Sequence, residues 1–135
     1  MSVAGPILVG IAYVLLMSLL ADQPRQRLNA VLVAGAGAVY WSGGGLGAWE
    51  FVFGAVMTYV AYRGLESWHW LGVGWLLHTG WDVLHHRAGN PIIPMLHDSS
   101  LGCAICDPVI AVWCFAGGPS VLSGPRSSWR GRLSG

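Results

Sequence analysis

The chain has 135 residues, enough for one domain, with a formal net charge of +1 and 54% hydrophobic residues. Only 10% of the residues are charged and lysine is absent, so there is no basic patch interleaved with aromatics and nucleic-acid binding has no support. Long apolar runs with so few charges read as membrane spans, and the expected fold class is all-α, a membrane helix bundle.

The first uncharged run, about residues 3–21, is long enough as a helix to cross a hydrocarbon core of about 30 Å. No Lys or Arg precedes it, so it reads as a retained span and not as a cleaved signal peptide. Asp22 to Arg27, with Pro24 and two arginines, reads as an interfacial turn. The uncharged stretches Leu28–Trp49 and Phe51–Tyr62 are together too long for one span. Gly43, Gly44 and Gly45 favour a turn between them, which predicts spans at about 28–42 and 46–63. Arg63 to Trp68 is a second charged turn, and a fourth span at about 68–86 ends before Asn90-Pro91. A fifth, at about 100–116, ends at Gly117-Gly118-Pro119. Residues 1–119 thus form a single helical domain, and the Ser/Gly/Arg-rich tail 120–135 is expected to be disordered.

Five spans place Arg25, Arg27, Arg63, Arg126, Arg130 and Arg132 on one side of a bilayer and Arg87 alone on the other. That asymmetry predicts an outside N-terminus, a cytoplasmic C-terminus and a multi-pass protein of the cell membrane, with the lipid bilayer as its partner.

The most distinctive stretch is Trp75-Leu-Leu-His78-Thr-Gly-Trp81-Asp82-Val-Leu-His85-His86. Helical spacing puts His78, Asp82 and His85 on one face at i, i+4 and i+7, with His86 at its edge. Glu50, near the start of the third span, and Asp107, near the start of the fifth, fall at the same level, and His97 lies in the loop between the last two spans. Imidazole and carboxylate one turn apart suit a divalent metal, with further ligands from other helices. The metal ligands expected are His78, Asp82, His85 and His86, the ion Zn²⁺ or Fe²⁺, with Glu50 and Asp107 as further ligands or general base. Convergence of ligand atoms from His78, Asp82 and either Glu50 or Asp107 is the geometric test.

Structural pairing of His with Asp, or a proton relay, stands beside the metal reading. Asp82 resists a structural explanation most, being short and about a turn from the end of its span. Cys103-Ala-Ile-Cys106 has the CxxC form, for which redox, metal and plain packing readings are open. Asp107-Pro108 leaves the Ala104 carbonyl without its helical donor, because proline has no N–H.

The segments Gly72 to His86, Gly89-Asn90-Pro91-Ile92 and Ser99 to Asp107 resemble a family of small bacterial integral membrane proteins catalogued as a domain of unknown function. The resemblance covers roughly residues 45–120 and implies a multi-pass protein of the bacterial inner membrane, with no activity, cofactor or site attached. Two functional readings follow from the residues. One is a metal centre, catalytic on a small lipid-soluble ligand. The other is a non-enzymatic membrane subunit or transporter component, for which a homo-oligomer would supply the pathway.

Overall fold

The computed structural model describes residues 2–41 and 45–123. The described residues form five α-helices and no strand: α1 (Ala4–Met17), α2 (Asp22–Ala36), α3 (Trp49–Gly64), α4 (Trp68–Arg87) and α5 (Ser99–Phe115). The all-α expectation holds. Gly43 and Gly44 of the expected turn, and residues 124–135 of the expected tail, lie outside the described residues.

Each helix follows from local chemistry. α2 begins at Asp22, six residues before the predicted span, so the charged segment read as a turn is helical. Asp22 in the first turn complements the positive end of the helix dipole. Pro24 falls where a helical N–H has no partner to lose. α4 ends in a Schellman motif. Gly89 takes φ +72°, its N–H donates to the His86 carbonyl at 3.2 Å, and Asn90 N–H donates to the His85 carbonyl at 2.9 Å. Pro108 lies inside α5, as the sequence reading places it.

α4 is the central helix. It packs most extensively on α5 and also meets α2 and α3, while α1 packs on α5 and α2 on α3. Val33, Met57, Leu71, Ala111 and Cys114 have no exposed surface and form the middle of the core. Arg25, expected in an interfacial turn, is in a helix and only 3% exposed. Its guanidinium donates to the carbonyls of Gly118 (2.9 Å) and Leu20 (2.7 Å) and to Asp22 Oδ1 (2.6 Å). Ser120 Oγ donates to the Ser18 carbonyl at 2.9 Å, so the first residues of the expected tail are tied down.

The membrane expectation is overturned. No helix among the described residues is long and apolar enough to cross a membrane. α1, α2, α3 and α5 have 14, 15, 16 and 17 residues, about 21–26 Å of rise against a core of about 30 Å. α4 has 20 residues but carries His69, His78, Asp82, His85, His86 and Arg87. The uncharged runs in the sequence misled because they pass through the ends of helices. Ser18 to Ala21 and Gly37 to Trp41 lie outside any helix, yet they count as apolar in a hydropathy window. The five-span topology, its orientation and the cell-membrane localisation fall with that finding.

Close packing of α2, α3 and α4 depends on Gly74. A Cβ there would lie 2.6 Å from Val33 Cγ1 and 3.2 Å from Val60 Cγ1, both on buried, stiff side chains. Overpacking costs about 1–3 kcal/mol, more than the roughly 1 kcal/mol that alanine gains in helix propensity. Gly74→Ala is therefore expected to lower the urea midpoint. Gly80→Ala, with nothing within 4 Å of the new Cβ, is expected to raise it.

Candidate metal centre

The helical periodicity of α4 places His78, Asp82 and His85 on its inner face, 4%, 0% and 0% exposed. They do not form one cluster. His78 and Asp82 meet Asp107 across the α4–α5 interface, whereas His85 meets Glu50 across the α3–α4 interface.

In the first cluster His78 Nδ1 lies 2.7 Å from Asp107 Oδ2 and 3.1 Å from Asp82 Oδ2. The three residues each offer one ligand atom, and these atoms lie within 4.8 Å of one another. An imidazole nitrogen carries at most one hydrogen. Nδ1 hydrogen-bonds Asp107, and Asp82 Oδ2 is left buried without a hydrogen-bond partner, as is His78 Nε2. Burial by itself pushes the His78 pKa down, but the contacts with Asp107 and Asp82 outweigh it and lift the value to about 9. Burial raises the Asp107 pKa, opposed by the hydrogen bond to His78.

The second cluster is fully paired. Glu50, 5% exposed, receives His85 Nε2 at 2.6 Å and the Leu46 N–H at 3.4 Å on Oε1, and Trp81 Nε1–H at 3.1 Å on Oε2. His85 Nδ1 lies 2.9 Å from the Trp81 carbonyl, which only accepts, so Nδ1 carries a hydrogen. One further proton is then shared across the Nε2–Oε1 contact.

Tyr40 stands between the clusters, 4% exposed, its ring stacked on His85 at 3.5 Å between centroids and 15° between planes. Its hydroxyl donates to Asp82 Oδ1 at 2.7 Å and lies 2.6 Å from Ser100 Oγ. Neither Tyr40 nor Ser100 carries a sequence signal for a site. A tyrosine at the end of an Ala/Gly-rich segment and a serine in a first helical turn are ordinary. His86 stands apart from both clusters. Its Nδ1 is buried without a partner, and its ring packs edge-on at 5.8 Å against His97, which is exposed. Cys103 and Cys106 are free thiols whose pKa values burial pushes up to about 12 and about 11, the opposite of an activated redox pair.

The chain belongs to the Family of unknown function (DUF6010), whose profile matches residues 1–120. The match takes in the 45–120 resemblance and extends it to the first residues, and its description states no activity, source or location. No curated protein and no solved structure matches the chain.

The raised His78 pKa fixes a pH dependence for metal-free protein. A folded pKa of about 9 against an ordinary 6.5 means that the folded state binds the extra proton between those values. Stability from this group is complete below about pH 6.5 and falls as pH rises toward 9, at a slope approaching about 1.4 kcal/mol per pH unit. Urea unfolding in chelator at pH 6 and pH 8.5 is expected to show the loss, and His78→Gln to flatten it.

Proposed function

We propose that the protein binds a divalent metal ion at His78, Asp82 and Asp107. The observation that carries this reading is Asp82 Oδ2, a fully buried carboxylate oxygen without a hydrogen-bond donor, beside an imidazole nitrogen and a second buried carboxylate. Leaving a buried carboxylate oxygen unanswered costs several kcal/mol, and a cation is the partner that would answer it.

The donor set speaks to the kind of ion. Two carboxylates and a neutral imidazole carry a charge of −2, which a divalent ion cancels inside a low-dielectric interior. One nitrogen with two oxygens suits Zn²⁺ or Fe²⁺ better than the all-oxygen cations or the thiolate-seeking ones. Ligand atoms on a tetrahedral ion with bonds of about 2.0–2.1 Å sit roughly 3.3 Å apart. Nδ1 is 2.7 Å and 3.1 Å from the two carboxylate oxygens, so a few tenths of an ångström of opening would admit the ion. Three protein ligands leave a position for water, and a bound metal would supply an acidified water there, the chemistry of hydrolytic centres. Asp107 acts in this arrangement as a ligand. Glu50, with both oxygens engaged by His85, Trp81 and Leu46, belongs to the neighbouring pair and not to the ion.

A second reading rests on the position of His78 Nδ1, 2.7 Å from Asp107 Oδ2 and 3.1 Å from Asp82 Oδ2: an imidazolium between two carboxylates can serve as a purely structural bridge. Metal content separates the two. Protein expressed with Zn²⁺ and Fe²⁺ and analysed for elements is expected to hold about one ion per chain. Asp82→Asn and His78→Ala are expected to lose it, while Glu50→Gln and His86→Ala retain it. Folded wild type that takes up neither metal, in expression or in titration, would leave the structural bridge as the function of these residues.

A further inference from the structure

A carboxylate offered to an ion can bind through one oxygen or two, and the choice sets which ions fit. Asp82 has its two oxygens in different surroundings. Oδ2 faces His78 Nδ1 and has no hydrogen-bond donor, whereas Oδ1 receives the Tyr40 hydroxyl at 2.7 Å. The single hydrogen of that hydroxyl goes to Asp82, so the 2.6 Å contact between Tyr40 Oη and Ser100 Oγ is a bond that Ser100 donates. Ser100 Oγ in turn accepts the backbone N–H of Ile92 at 3.0 Å. The result is a one-way chain, Ile92 N–H to Ser100, Ser100 to Tyr40, Tyr40 to Asp82 Oδ1. Its hydroxyl-bearing members are buried, Tyr40 at 4% exposed and Ser100 at 0%, and the Tyr40 ring is held flat against His85.

We propose that Tyr40, backed by Ser100, is the residue that sets the ion specificity of the centre, by occupying Asp82 Oδ1 and presenting Asp82 as a one-oxygen ligand. The inference rests on the metal reading of His78, Asp82 and Asp107. A one-oxygen Asp82 keeps the donor set small and favours a four-coordinate ion such as Zn²⁺. With Oδ1 released, Asp82 can chelate through both oxygens, which suits a larger, oxygen-seeking ion such as Mn²⁺. Tyr40 and Ser100 touch no ion themselves. They are positioning residues, and such outer partners typically contribute 10–100-fold to metal affinity.

The test is the Zn²⁺ to Mn²⁺ affinity ratio, with Zn²⁺ followed by calorimetry and Mn²⁺ by the electron paramagnetic resonance of the free ion. Tyr40→Phe keeps the ring on His85 and removes only the hydroxyl. It is expected to weaken Zn²⁺ at least about tenfold while leaving Mn²⁺ equal or tighter, so that the ratio falls by more than about tenfold. Ser100→Ala leaves the Tyr40 hydroxyl on Asp82 without its own donor, and a smaller fall in the same direction is expected. It also stands in if Tyr40→Phe does not fold. A merely structural role would weaken both ions alike and leave the ratio unmoved. Wild type that binds Zn²⁺ beside variants with an unchanged ratio would overturn this inference alone. Wild type that binds neither ion would overturn the metal centre and the inference together.

Discussion

Two carboxylates buried against one imidazole are the constraint around which the bundle is arranged. Asp82 is wholly buried and Asp107 nearly so, and each must be answered by a partner that water can no longer supply. That demand brings α5 against α4, since His78 and Asp82 lie on one helix and Asp107 on the other. It also draws in Tyr40 from the end of the α2 segment and Ser100 from the first turn of α5. Glu50 and His85 solve the same problem locally, with enough donors for both carboxylate oxygens. The contrast between the clusters is informative. One is self-sufficient, the other retains an unanswered oxygen.

The sequence showed the helical face of the site because helical period is a local property. His78, Asp82 and His85 recur at i, i+4 and i+7, and all three turn inward. Asp107 was also legible as a partner from another helix. The division of the polar residues into two clusters was not, since it depends on which helix stands opposite each turn of α4. Tyr40 and Ser100 were invisible for a different reason. Their residue types are common, and only the arrival of Asp82 Oδ1 beside Tyr40 gives the hydroxyl a role.

The all-helical class was readable from apolar runs and glycine breaks, but the membrane was the wrong inference from them. Hydropathy counts residues and does not see where a helix stops. Ser18–Ala21 and Gly37–Trp41 extend an apolar run without extending a helix. Arg25 misled similarly. Beside a proline in a charged segment it reads as part of an interfacial turn, yet two backbone carbonyls and Asp22 satisfy its guanidinium inside the fold.

That guanidinium has a consequence for the order of assembly. Arg25 donates to the carbonyl of Gly118, and Ser18 accepts from Ser120 Oγ and the Val121 N–H, partners 93 to 103 residues apart. A chain emerging from the ribosome can form α1 and α2 early, but Ser18 in the turn joining them keeps unmet acceptors, and Arg25 of α2 an unmet donor, until α5 and the segment behind it arrive. Closing so long a loop is an entropic cost borne near the end of folding. The clasp therefore makes completion of the bundle depend on residues just beyond its last helix, and the family match at residue 120 ends inside that clasp.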